Sequence, residues 1–190
     1  GRSFKKLNWE KILDFSTVDQ LTDYLKKSEA FEDILKDVKN DIHRGNLESV
    51  LGRYKISEIE NLLHYHSGAY KEFLKTLLTE ADLTDIGLIL RKIARNMSLY
   101  DMEDRFIHSE KYTDIPYDKL LSSRNVGQFI ENLRGTPYYN DLRGLTNEDA
   151  IKRDFHIEMK LYVTYYKSLL EKADKLNKEN KKTAKDIIGT

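Results

Sequence analysis

The sequence predicts an all-α fold, and three observations predict it. Only two prolines and nine glycines interrupt 190 residues, so enforced breaks are few. Apolar residues recur at spacings of three and four along most of the chain, the period of one helix face. No segment alternates polar and apolar residues for long enough to suggest a sheet. Hydrophobic residues make up 39% and charged residues 34%, which suits helices with a buried stripe and a broad solvated side.

Residues 7–15 open the chain as a short helix with Leu7, Ile12, Leu13 and Phe15 apolar. Ser16 or Thr17 offers an N-cap for a helix over 18–27, with Val18, Leu21, Tyr24 and Leu25 on one face. Ser28 offers another cap, and Phe31, Ile34, Leu35 and Val38 follow as the next apolar face. Residues 40–46, with Gly45, read as a polar bend that Val50, Leu51 and Gly52 close. A long helix is expected over 56–81, where Ile59, Leu63, His66, Tyr70, Phe73 and Leu77 form a packing seam. Gly68 in that seam costs roughly 1 kcal/mol relative to Ala and permits a close helix approach.

Asp82 and Thr84 can cap the next helix, over 85–98, with Ile86, Ile89, Leu90, Ile93, Ala94 and Met97 inward. Residues 100–112 are charged and carry no clear period. Residues 115–143 hold both prolines, and Gly135-Thr136-Pro137 separates two helix patterns within them. Arg143-Gly144-Leu145 breaks the chain again. Thr146 then caps a helix, with Asp149 three residues on as a near capping box. That helix, 147–178, is expected to be the longest, with a seam of Ile151, Phe155, Met159, Tyr162, Tyr166, Leu169, Ala173 and Leu176. A solvated run over 178–182 leads to the last eight residues.

The chain repeats itself. Shifted by 108 positions, residues 7–35 lie on 115–143 without a gap. Lys11, Leu13, Val18, Gln20, Leu25 and Asp33 meet Lys119, Leu121, Val126, Gln128, Leu133 and Asp141. Those six identities in 29 positions compare with about two expected from composition. The replacements are mild: Trp9 on Tyr117, Leu21 on Phe129, Ser28 on Thr136, Phe31 on Tyr139, Ile34 on Leu142. Shifted by 96, the seam from Ile59 to Leu77 falls on Phe155, Met159, Tyr162, Tyr166, Leu169 and Ala173. The change of shift leaves twelve extra residues in the first copy, placed in the 40–52 region. A duplicated helical unit is the reading this order of matches supports.

Composition and motifs exclude several functions. Lys+Arg and Asp+Glu balance at 32 each, which removes the basic footprint of a general nucleic-acid binder. No cysteine is present, so disulfide and thiolate chemistry are absent. The longest apolar run, 86–90, is far short of the about 20 residues a membrane helix needs, so any membrane role is expected to be indirect. Gly1-Arg2-Ser3 carries no initiator Met, and the natural start is expected upstream. Asn96-Met97-Ser98 is formally a glycosylation sequon and is read as an ordinary sequence.

There is no phosphate-cradling Gly-x-x-x-x-Gly-Lys-Ser/Thr and no Gly-x-Ser-x-Gly elbow. His64 and His66 are two apart and point to different helix faces, whereas paired helical ligands need three or four. Glu60 with His64 and Asp104 with His108 do have four-residue spacing. His66 is placed in the seam and the Tyr162, Tyr165, Tyr166 cluster in the core. No catalytic, cofactor-binding or metal residue is assigned. Loop tips at 40–52 and 143–146 are the places where contacts with partners are expected, being polar turns that contain glycine.

Two elements carry a resemblance. Val126, Phe129 and Leu133 lead into Leu133-Arg134-Gly135-Thr136-Pro137-Tyr138 and Leu142, and this resembles the C subunit of the V/A-type rotary ATPases, whose vacuolar counterpart is the d subunit. Leu25-Lys26-Lys27-Ser28-Glu29-Ala30 is a degraded first copy of the same element. Asp82-Leu83-Thr84-Asp85-Ile86-Gly87-Leu88-Ile89-Leu90-Arg91 is similar to a second family element, with Asp85 where Asn is usual. The resemblance implies a three-lobed funnel with pseudo-threefold symmetry, of which this chain carries about two lobes, 1–98 and 99–190. It also implies a non-catalytic coupling subunit at the cytoplasmic face of the membrane. Its partners would be the central-stalk shaft subunits and the membrane proteolipid ring, with no cofactor. Two other readings stay open at the level of residues. One is an unrelated helical adaptor built from a duplicated module. The other is a helical-bundle metalloenzyme using Glu60, His64, Asp104 and His108.

Overall fold

The computed structural model describes residues 7–39, 41–100 and 102–189, apart from the side chain of Ile187. Asn40 and the first three residues, singled out above, lie outside the described residues. Among the described residues the fold is all-α, with eleven α-helices and no strand. By compactness the chain parts into two units, residues 1–54 and 55–190.

In the first unit, α1 (Trp9–Leu13) and α2 (Val18–Lys26) are both capped by side chains. Asn8 Oδ1 accepts from the Lys11 N–H at 3.0 Å, and Thr17 Oγ1 from the Gln20 N–H at 3.2 Å. α3 (Glu32–Leu35) is a single turn. Ser28, expected to cap it, instead donates its hydroxyl back to the Leu25 carbonyl at 2.8 Å. α4 (Arg44–Leu63) begins here and carries the chain into the second unit. The small core gathers Leu7, Leu25, Leu35 and Leu47, with Leu21, Tyr24 and Phe31 half-buried around it. The polar bend expected over 40–46 is shorter than that: from Arg44 onward those residues are helical, and both Gly45 and the Gly52 expected to close the bend sit inside α4. Arg44 is tied to Glu48 one turn on, a pair that suits a helix start better than a bend.

The second unit is built on α5 (Gly68–Ala94), 27 residues long. The helix expected over 56–81 does not run through. It stops at Leu63 and restarts at Gly68, whose φ of +60° is open to glycine and strained for other residues. The supposed seam glycine is thus a chain break. Past that break the helix continues beyond Ala81, so Asp82 and Thr84 are interior to it and cap nothing. It ends where Asn96 takes a left-handed φ of +52° and the Met97 N–H reaches back to the Lys92 carbonyl at 2.8 Å.

A short 3₁₀ turn, Glu103–Arg105, and an irregular stretch lead to α6 (Tyr117–Leu121), α7 (Val126–Asn132) and α8 (Tyr139–Leu142). α7 is capped by Asn125 Oδ1 on the Gln128 N–H at 2.9 Å. Gly135 at φ +93° and Gly144 at φ +84° make the turns on either side of α8. α9 (Asn147–Lys152) opens with the expected capping box between Thr146 and Asp149. α10 (Asp154–Ala173) packs along α5, and α11 (Lys178–Ile188) packs on α10. The helix expected over 147–178 is broken at Arg153, whose backbone leaves the helical region, so α5 is the longest element.

The main core runs through α5, α7 and α10. Ile86, Ile89, Phe129, Leu133, Leu142, Leu161 and Ala173 are all buried. A satellite cluster joins Ile56 and Leu63 of α4 to Leu74, Leu78 and Ala81 of α5. On α10 the buried line is Ile157, Leu161, Tyr165, Leu169 and Ala173. The expected seam is right at Leu169, Ala173 and Leu176 but one stripe off above them, because α10 carries two neighbouring apolar stripes that converge at Leu169 and α5 packs on the other one. Two adjacent stripes of α10 are apolar, and only one of them meets α5.

Candidate functional site

Two features of the second unit carry chemistry or contact. The first is a buried polar cluster against α5. Asp82 and Asp85 are one turn apart, on the same face as Ile86, Ile89 and Ile93, and both are buried. Asp85 is fully buried and accepts the Ile107 N–H at 3.1 Å and the His108 N–H at 3.0 Å. The His108 ring Nδ1 lies 2.8 Å from the same carboxylate. Asp82 Oδ1 accepts two hydroxyls, from Thr113 at 2.7 Å and from Tyr117 at 2.9 Å. His108 stacks on the Tyr117 ring with centroids 3.6 Å apart. The neighbouring Ser109 hydroxyl donates to Glu60 of α4.

The electrostatics of the two carboxylates differ. Burial pushes the Asp82 carboxyl up to about 6, against the lowering effect of the Thr113 and Tyr117 hydroxyls. Burial, followed by the charges of Asp82 and Asp85, raises the Tyr117 phenol far above its ordinary value. Tyr138 and Tyr165 are raised too, first by burial. Sequence reading placed Asp82 as a helix cap and missed the cluster. The signal was available: two aspartates at i and i+3 on an otherwise apolar helix face need partners from elsewhere.

The residues considered for a metal do not converge. Glu60 and His108 each meet this cluster, whereas His64 and Asp104 are exposed. Among the described residues no group of three or more His, Asp or Glu could hold a metal ion. His66 is half-buried and stacks on Tyr70 at 4.9 Å, at the break and outside any continuous seam.

The second feature is a surface. Phe155 is 70% exposed, and Met159, Val163 and Tyr166 follow it along the same side of α10. Ile151 on α9 is exposed as well. Their spacing of four, four and three makes one apolar stripe about three turns long. Four of these side chains, all but Val163, were expected in the core. Tyr162 lies half-buried beside the stripe, stacked on Tyr166 at 6.1 Å, and Tyr165 alone of the three tyrosines is buried. The loop tip at 143–146 borders a cleft of about 540 Å³ whose rim carries Arg143, Arg153 and Lys160 against Asp141 and Asp149. Among the described residues no helix is long and apolar enough to cross a membrane.

Comparison with known proteins adds three findings. The model of a family described as ATP synthase (C/AC39) subunit matches residues 1–190. The C subunit of the A-type ATP synthase of Archaeoglobus fulgidus is 28% identical over 110 residues, which are 58% of this chain and 31% of that protein. No solved structure matches.

Proposed function

This chain belongs to the ATP synthase (C/AC39) subunit family, and from that premise we propose that it forms part of a non-catalytic coupling subunit of a V/A-type rotary ATPase. In this reading the subunit joins the central-stalk shaft to the membrane proteolipid ring at the cytoplasmic face. It transmits torque and binds no nucleotide. The ion moved by the parent complex, proton or sodium, is set elsewhere in that complex. Residues 1–98 and 99–190 are two lobes of a duplicated unit, and the complete subunit adds a third around a pseudo-threefold axis.

The observation that carries the reading is the bare apolar stripe of α10. A row of Phe155, Met159, Val163 and Tyr166 held in water is costly unless it is covered in an assembly. Aromatic and methionine side chains are the types enriched at such contacts.

The test is Phe155→Asp with Met159→Asp, made in the complete subunit and assayed for assembly with shaft subunits and ring. Both side chains are exposed in this chain, so the melting temperature of residues 1–190 carrying the same changes should hold. Affinity should fall by about tenfold or more. Unchanged assembly would remove the stripe from the interface. A wild-type subunit that captures neither shaft nor ring, or that binds ATP tightly in calorimetry, would end the coupling reading.

A further inference from the structure

We propose that residues 106–117 form a proton-sensitive clasp on α5: a proton on the Asp82 carboxyl holds the segment closed, and loss of that proton loosens it. The segment is irregular, and much of its attachment to α5 is polar. It is held at Asp85 through the Ile107 and His108 N–H groups and the His108 ring. It is held at Asp82 through Thr113 and Tyr117. These two anchors are not alike. Asp85 receives N–H donors on both oxygens, the arrangement an ionised carboxylate needs in a dry site. Among the described residues Asp82 receives two hydroxyls, both on Oδ1. A proton on its other oxygen leaves both of those bonds intact, whereas ionisation puts a second negative charge one turn from Asp85.

The surroundings of Asp82 pull both ways: burial, the largest influence, and the charge of Asp85 oppose its anion, while the Thr113 and Tyr117 hydroxyls and the His108 charge favour it. From α5 there is Asp85, of like charge. From the clasp come His108, which is engaged by Asp85, and Thr113. From α6 comes Tyr117, and from the residue before α8 Tyr138, whose phenols are both raised in part by the Asp82 charge. Glu60 of α4 lies just beyond, on Ser109. The raised carboxyl, at about 6, fits this setting.

The sign follows from linkage. A carboxyl that is held higher in the closed state than in the hydrated open state supports closure fully below the open-state value. That support is lost as pH rises toward the closed-state value. Opening should therefore become easier between about pH 4 and about pH 6 and then level off. Protonation of this one group would tighten the segment joining α5 to α6.

Amide hydrogen exchange on the purified chain, corrected for intrinsic rates, reads this directly. Protection of the Ile107 and His108 amides should drop about tenfold from pH 5 to pH 7.5, with α10 amides unaffected. Asp82→Asn keeps an acceptor for Thr113 and Tyr117 and should make the profile flat, while His108→Gln should leave the slope in place. A wild-type profile that is flat, or a slope that survives Asp82→Asn or vanishes in His108→Gln, overturns the proposal. Should Asp82→Asn not fold, the carboxyl ¹³C titration of Asp82 in the wild-type chain decides. A midpoint near 6 supports the clasp, and one near the ordinary aspartate value of about 4 refutes it.

Discussion

Residues 7–35 and 115–143 reach nearly the same local structure in very different surroundings. α1 and α6 begin at matching positions, and so do α2 and α7. Three hydrogen bonds recur at the same shift. Thr17 caps Gln20 as Asn125 caps Gln128. The Ser16 N–H donates to Gln20 Oε1 at 3.0 Å, and the Arg124 N–H to Gln128 Oε1 at 2.9 Å. Ser28 returns its hydroxyl to Leu25 as Thr136 does to Leu133, both at 2.8 Å. Burial is where they part. Trp9 is 63% exposed and Leu13 85% exposed. Their counterparts Tyr117 and Leu121 are half-buried and packed against the main core. Leu21 is half-buried, while Phe129 is fully buried. Local bonds are thus written into the segment itself, and burial is conferred by the helices it happens to meet. In the second copy those are α5 and α10; in the first copy the described apolar residues gather in a small core around Leu7, Leu25, Leu35 and Leu47.

The largest effect should come from the buried member of a matched pair. Phe129→Ala removes a fully buried ring and should cost about 3–5 kcal/mol. Leu21→Ala, half-buried at the matching position, should cost about 1–2 kcal/mol. Urea unfolding followed by circular dichroism measures both. Equal losses would mean that the first copy is as tightly packed as the second, and the contrast would fail.

The same distinction explains what was legible in the sequence. Several signals that act over a few residues were read correctly: the cap at Ser16 or Thr17, which Thr17 fills, the Thr146–Asp149 box, and the turns at Gly135 and Gly144. The caps expected at Ser28, Asp82 and Thr84 were not, since a capping side chain does not by itself fix where a helix starts. Signals that depend on a distant partner were not. The α10 seam was drawn along Phe155, Met159 and Tyr166, although Ile157, Leu161 and Tyr165 form an equally apolar stripe beside it. Period alone cannot choose between two neighbouring stripes; the position of α5 does. The break at Gly68 was hidden because its flanks keep a continuous 3.6-residue rhythm, and rhythm does not report φ. The buried cluster escaped for a related reason. The two aspartates on an apolar face show that partners are needed, but those partners, Thr113, Tyr117 and His108, lie more than twenty residues away, where a local pattern does not name them.

A smaller effect separates the two copies at their turns. Gly135 holds φ at +93°, while Lys27 at the matching position holds −85°. Gly135→Ala should therefore cost about 1–2 kcal/mol in backbone strain, with open space around the new methyl. Lys27→Gly should shift stability by no more than about 1 kcal/mol, and only through the entropy of the unfolded chain. Thermal melts resolve the difference. If Gly135→Ala were silent, the turn would be adaptable and the two copies alike there as well.

The smallest effect is the one in which the copies should agree. Thr17→Ala and Asn125→Ala each remove an exposed side chain that holds one N–H at the head of a short helix. Each loss should be about 1 kcal/mol, read from the exchange protection of the Gln20 and Gln128 amides. A cap acts within three residues and in water, so the tighter core behind α7 should not enlarge its share. Matching losses would place the recurring structure in the segment's own bonds. A clearly larger loss at Asn125 would mean that packing behind α7 amplifies even its exposed bonds, and the separation of local structure from burial would have to be given up.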